Sequence, residues 1–216
     1  MSASPSDTFP ALEMPFVRHA FLDRVPGIDT AAEQAVAMHR LVASHLESRR
    51  RLGFGAMPLI SAEQVHDNRV AVVNSATTTP VPGVDGLVTD SPGVALGIYV
   101  ADCAAIYLVD PVRKAIGLLH SGKKGTELDI ATVAIEKMRA QFGTEPADLI
   151  VQISPCIRPP FYETDFAAEI ARQCRAAGVR HVSDCGTCTA ADLSRYYSYR
   201  AELGKTGRML SLLALV

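Results

Sequence analysis

Residues 99–125, YVADCAAIYLVDPVRKAIGLLHSGKKG, contain two apolar runs, Ala104-Ala105-Ile106-Tyr107-Leu108-Val109 and Ala115-Ile116-Gly117-Leu118-Leu119, with Asp110-Pro111 between them. Two runs of strand length around an Asp-Pro turn signal read as a β-hairpin. With Asp110 and Arg113 flanking the turn, Cys103 stands directly opposite His120, Cβ atoms roughly 4.5–5.5 Å apart. Thiol and imidazole then share one face at the open end of the hairpin, whereas a slip of one residue would put them on opposite faces. Asp102 precedes the cysteine, and Ser121-Gly122-Lys123-Lys124-Gly125 follows the histidine as a glycine-flanked basic turn suited to an anion. The plain alternatives are a structural cysteine and a core histidine beside a solvated lysine turn.

Outward from the hairpin, the N-terminal half reads as β-rich. Strands are expected over residues 16–22, 58–65, 69–74, 85–90 and 94–100, with Gln64-Val65-His66 close to a strand end. Between the first two, Thr30 and Glu33 form a capping box that opens a helix carrying Ala35, Met38, Val42 and Leu46 on its apolar face and stopping by Gly53. His39 and His45 on that helix read as surface residues. The C-terminal half expects helices over 126–142 (apolar face Leu128, Ala131, Ile135, Met138), 164–177 and 191–203, and strands over 148–153, 180–183 and 209–216. Strands and helices mixed without strict alternation give a single mixed α/β (α+β) domain over residues 16–216, and the Ser- and Pro-rich residues 1–15 read as a mobile leader.

The 216 residues suffice for one domain with a real core. A formal net charge of −2 argues against nucleic acid or an anionic membrane as partner and leaves small-molecule chemistry. No apolar span of 18 residues and no signal-peptide pattern is present, so a cytoplasmic protein is expected, as a monomer or weak homo-oligomer. Five cysteines, an odd number unevenly spread, suit free thiols or metal ligands better than a disulfide framework. Cys185-Gly186-Thr187-Cys188 is a CxxC with no second copy, and reads as two incidental thiols rather than half a zinc site.

Six stretches in order carry a resemblance to the laccase-domain family, also called polyphenol oxidase or YfiH-like, of the purine nucleoside phosphorylase type. They are Gln64-Val65-His66; Asp85-Gly86-Leu87-Val88-Thr89-Asp90 with Pro92-Gly93; Ala101-Asp102-Cys103; His120-Ser121-Gly122-Lys123-Lys124-Gly125; Pro155-Cys156-Ile157 with Tyr162-Glu163; and Cys188-Thr189 through Tyr199-Arg200 to Lys205-Thr206-Gly207-Arg208. The resemblance implies a layered α-β-β-α sandwich and one catalytic zinc held by His66, Cys103 and His120. Three ligands suit an open site with a position left for water or substrate. It further implies phosphorolysis of adenosine, inosine or guanosine, or deamination of adenosine, with small-molecule nucleoside and phosphate as the partners.

Within that expectation Cys103, His120, Arg24 and Asp102 are the catalytic candidates. Arg24, Gln64, Lys123, Lys124 and Arg200 are the substrate-binding ones, their cations serving to align a phosphate dianion, and Asp102 or Glu163 is placed to orient a ligand or move a proton. Arg24 resembles the family's N-terminal arginine, although the usual Gly-Gly after it is reduced to Val25-Pro26-Gly27. Where the family has His-Ala-Gly-Trp and a basic residue, this chain has His120-Ser121-Gly122-Lys123-Lys124, which keeps charge and loses an aromatic wall. Three other readings follow: a Cys-His hydrolase or amidase, including one that edits peptidoglycan precursors; a degenerate metal-binding member; and a copper oxidase of phenols. The last is disfavoured because a multicopper cluster needs more histidines than the six present.

Overall fold

The computed structural model describes residues 5–216. In chain order they form β1 (Ser6–Asp7), β2 (Val17–Leu22), α1 (Gln34–Arg51), β3 (Leu59–Ser61), β4 (Val70–Val72), β5 (Gly86–Thr89), β6 (Ala95–Val100), β7 (Ala104–Asp110), β8 (Ala115–Ser121), α2 (Lys123–Glu127), α3 (Ile130–Phe142), β9 (Ile150–Ile153), α4 (Phe166–Ala176), β10 (His181–Asp184) and β11 (Met209–Leu215). The strands make a five-stranded sheet, β1-β2-β11-β6-β3, and a six-stranded sheet, β10-β9-β7-β8-β5-β4. The hairpin β7–β8 lies at the centre of the larger one.

Both faces of the hairpin are covered, which explains why its strands read as unbroken apolar runs. Tyr107, Val109, Ile116 and Leu118 point into a core shared with Phe21, Leu96, Ile98 and Leu213 of the smaller sheet. Ile106, Leu108 and Leu119 pack instead against Ile130, Ala134, Ile135 and Met138 of α3 and Ile170 of α4. On the far face of the smaller sheet Leu22, Leu210 and Leu212 cluster with Phe54, and His45 of α1 stacks on Tyr99 with ring centroids 6.0 Å apart. The layers therefore run α-β-β-α, as the resemblance implied. No helix among the described residues is long and apolar enough to cross a membrane.

The register departs from expectation by two residues. Ala105, not Cys103, pairs with His120, and Asp110 pairs with Ala115. The connection is longer than a two-residue turn because Asp110 Oδ1 accepts from the amides of Val112 and Arg113, at 2.8 and 2.9 Å, and Lys114 takes a left-handed φ of +56°. A shift of two equals the side-chain period, so Cys103 and His120 keep a common face, diagonal rather than directly opposed.

Six further expectations are corrected. From Pro5 onward the supposed leader belongs to the domain: β1 pairs with β2, Phe9 and Leu12 are buried between the sheets, and the Phe9 amide donates to His19 Nε2 at 2.8 Å; residues 1–4 lie outside the described residues. On α1 the buried positions are Ala37, Leu41, Ser44, His45 and Ser48, while Val42 and Leu46 are exposed, because small residues let the helix approach the sheet. Glu33 rather than Thr30 occupies the N-cap, without a side-chain cap bond, and His45 is buried where a surface residue was expected. The helix expected over 126–142 is broken at Asp129 (φ +53°), whose side chain caps α3 through Thr132, leaving Leu128 exposed. Residues 191–203 are turns instead of a helix, with Asp192 accepting from the Ser194 amide and Glu202 from the Ser198 amide in competition with helical bonding.

Candidate metal centre and its cleft

A buried carboxylate, Asp85, assembles one side of the site. It lies immediately before β5 and is fully buried. Its Oδ2 accepts from the amides of Val65 and Asp67 at 3.1 and 2.9 Å, and its Oδ1 from the amide of His66 at 2.9 Å and from His120 Nδ1 at 2.8 Å. These bonds hold a loop in which Gln64 and His66 adopt positive φ angles of 65° and 60°. They also assign the proton of neutral His120 to Nδ1, leaving Nε2 for the site. One acid thereby places two histidines 54 residues apart in sequence, with ring centroids 4.8 Å apart.

Cys103 comes from the chain just before β7. Its approach requires Gly122, since a Cβ there would lie 2.5 Å from Cys103 Sγ. His66, Cys103 and His120 offer three donor atoms within 4.8 Å of one another, the only such cluster of His, Cys or carboxylate groups among the described residues. Burial alone would push the Cys103 thiol up, but His120 and His66 overcome it and hold the thiol down at about 6. Burial opposes charge on His120 as well, yet Cys103 and Asp85 raise it to about 9. Asp85, although desolvated, is held below the ordinary carboxylate value by His120 and the loop amides. A thiolate flanked by two imidazoles, one oriented by a carboxylate, suits a borderline-soft divalent ion and leaves a coordination position open.

The donor set opens on a cleft of about 750 Å³. Its opposite side is organised by a second carboxylate, Asp102, at φ +79°. Asp102 accepts from Thr189 Oγ1 at 2.7 Å, from Ser198 Oγ at 3.1 Å and from the Arg200 amide at 2.7 Å, and its carbonyl takes the Ile157 amide at 2.8 Å. The segments after β9 and before β11 are tied in this way to the residue beside Cys103. Tyr99, Tyr162, Phe166 and Tyr199 supply rings to the cleft, and Lys123, Arg200 and Arg208 supply cations.

The candidate substrate-binding residues divide. Lys123, Arg200 and Gln64 line the cleft; Arg24 and Lys124 do not. Arg24 lies over the Tyr197 ring at 4.3 Å and donates to Glu202 Oε2 at 2.6 Å and to the Tyr196 carbonyl at 3.1 Å. Lys124 is exposed on α2, because Lys123-Lys124 starts a short helix instead of forming a turn. The Gln64 amide is occupied by Tyr99, donating to its carbonyl at 2.6 Å and accepting from its amide at 2.9 Å. Glu163 pairs with both Lys123 and Arg200.

Sequence reasoning missed Arg208 as a cleft residue, although it closes the last motif. Its guanidinium has no carboxylate within ion-pair distance among the described residues; it donates to the carbonyls of Thr206 and Gly207 and to Gln34 Oε1. Burial lowers its pKa from the ordinary value, with the Cys103 thiolate pulling the other way. The signal available was a lone arginine immediately before a strand, Thr206-Gly207-Arg208-Met209, which alone carries little information.

The chain is similar to proteins of known name and structure. A purine nucleoside phosphorylase of Deinococcus radiodurans is 32% identical, with 92% of this chain and 89% of that protein covered. Purine nucleoside phosphorylase YlmD of Geobacillus stearothermophilus is 31% identical over 78% of this chain and 77% of that one. The crystal structure of YlmD from the same organism matches with a TM-score of 0.84 at 25% identity, covering 96% of this chain and 94% of that one. The model of the family described as multi-copper polyphenol oxidoreductase laccase covers residues 32–169 and 162–216, which takes in all three clustered donors and the whole cleft. With sandwich, ordered motifs and family match in agreement, the chain belongs to the multi-copper polyphenol oxidoreductase laccase family, whose members are also called laccase-domain or YfiH-like proteins.

Proposed function

We propose that this protein is a zinc-dependent enzyme of purine nucleosides that transfers the ribosyl group from base to phosphate. The observation that carries the reading is the His66–Cys103–His120 donor set opening on a cleft that combines aromatic rings with three cations. Relatives named purine nucleoside phosphorylase support it. A multicopper cluster does not fit, because the other four histidines are spread elsewhere, His19 in the small sheet, His39 and His45 on α1 and His181 on β10, and a single ion is what the three clustered donors suit. A zinc ion held by His66, Cys103 and His120 would supply a Lewis acid and lower the pKa of a bound water towards about 7.

The chain's own residues have separable tasks. The cleft rings offer faces on which a purine stacks. Lys123, Arg200 and Arg208 draw a phosphate dianion in and hold it against the anomeric carbon. A phosphate oxygen bonds to that carbon as the bond to the base nitrogen breaks, and alignment is the main contribution such cations make. His120, fixed by Asp85, and Cys103 keep the donor set rigid; Asp102 positions the Arg200 backbone; Gln64, bonded to Tyr99, sets the wall beside His66. Arg24 acts through Glu202 as a strut of the same turn.

The test is zinc per chain in wild type and His66→Ala, with phosphate-dependent base release from adenosine, inosine and guanosine and ammonia release from adenosine on the same samples. Near-stoichiometric zinc lost in the variant, with base released by wild type alone, supports the reading; ammonia without phosphate dependence would replace phosphorolysis by deamination. Full activity in zinc-free protein, abolished by alkylating Cys103, would overturn it in favour of a thiol hydrolase.

A further inference from the structure

Lys123 and Arg200 reach the cleft from different parts of the chain, the first from α2 and the second from the turn before β11. One side chain joins them. Glu163 Oε1 lies 3.9 Å from Lys123 Nζ and its Oε2 lies 3.4 Å from Arg200 Nη2, one carboxylate oxygen to each cation. Glu163 is not itself among the cleft-lining residues; it bridges the two cations that are. Arg200 is held ready by two further contacts, its amide on Asp102 and its guanidinium over the Tyr162 ring at 4.6 Å.

The energetics decide what this arrangement does. All three side chains are about half exposed, at 47%, 54% and 54%. Ion pairs of such exposure contribute little. They are weak enough to be exchanged for a better anion. A phosphate dianion carries more charge than one carboxylate and has oxygens to spare once both cations are engaged.

We infer that the space between Lys123 and Arg200 is an anion subsite for phosphate and that Glu163 is its built-in occupant, displaced when phosphate binds. The inference rests on the phosphorolytic reading for its choice of anion. It makes Glu163 a determinant of phosphate affinity: it lowers that affinity while keeping the two cations spaced for it.

The experiment is isothermal titration of inorganic phosphate into the zinc-loaded full chain, at constant ionic strength held with chloride, for wild type, Glu163→Gln and Lys123→Met. Glu163→Gln should bind phosphate about three- to fivefold more tightly, from the release of its two weak surface pairs with Lys123 and Arg200. Lys123→Met should bind it several-fold more weakly, and zinc content should be the same in all three. Where base release is measurable, the KM for phosphate should move in the same directions and the KM for nucleoside should stay. Equal phosphate affinity in wild type and Glu163→Gln, or no phosphate binding in any form, would overturn the inference. The two readings fail separately: the expected binding pattern in a protein that releases no base keeps the subsite and removes phosphorolysis. Phosphate-dependent base release indifferent to both substitutions does the reverse.

Discussion

Asp85 and Asp102 flank the same cysteine and work on different partners. Asp85 gathers three successive amides of the His66 loop and the imidazole of His120. Asp102 gathers two hydroxyls and an amide from the segments that carry the cleft's other wall. Both are buried acids satisfied by several donors, as buried charge requires. The difference is that Asp85 touches the side chain of one candidate donor, His120, and shapes the loop holding another, His66, whereas among the described residues Asp102 reaches backbone and hydroxyl groups. The donor set and the cation wall are thus organised by separate acids, so one should be alterable without the other.

That separation can be broken experimentally. Asp85→Asn should be the most severe change: it puts an amide among four donors and releases His120. We expect a 10- to 100-fold loss of zinc affinity by chelator competition, the scale of outer-shell substitutions, and a destabilisation of roughly 3–5 kcal/mol in a denaturant melt for breaking a buried pair. Wild-type zinc affinity in this variant would deny Asp85 its place.

A buried titratable group lacking such donors sets the contrast. His45 Nε2 is buried with no hydrogen-bond partner, and burial holds this histidine down at about 4, beneath Tyr99 and one turn from Arg49. Its folded value lies below the unfolded one, near 6.5, so the unfolded chain binds the extra proton. Stability is then fully present above pH 6.5 and falls as the pH drops from 6.5 towards 4, by about 3 kcal/mol in all. His45→Gln should flatten that slope in pH-resolved melts; an unchanged slope would place the acid sensitivity elsewhere.

Asp102→Asn should cost less, about 1–3 kcal/mol for one disturbed set of buried hydrogen bonds. It should raise the KM for phosphate several-fold through Arg200 while zinc stays bound. Zinc loss matching that of Asp85→Asn would merge the two acids into one unit. At the bottom of the scale, Lys124→Ala, exposed and off the cleft, should change stability by less than about 0.5 kcal/mol and leave phosphate kinetics alone. A loss of phosphate affinity there would extend the cation wall onto α2.

Much of this molecule was legible from local pattern. The strands of the hairpin, the helix before β9 and the closing strand follow from apolar runs and turn signals, and the facing of Cys103 and His120 survived a two-residue error because the period of a strand is two. Asp85 was visible as part of a motif but not as the hub, since its partners are 18 to 35 residues away. The helical face of α1 was misread because burial selected its small residues instead of Val42 and Leu46.

By itself, then, the sequence determined most of the elements and the layered class, because periodicity and turn residues are properties of neighbouring residues, while the candidate donor set of His66, Cys103 and His120 came from the ordered motifs of the family resemblance. Only the tertiary structure decided which cations face the cleft. Arg24 is drawn to Glu202 across 178 residues of chain, Arg208 has no carboxylate within ion-pair distance among the described residues, and Glu163 pairs with both Lys123 and Arg200. Charge pairing depends on which surfaces the fold brings together, and a linear pattern holds no record of that distance.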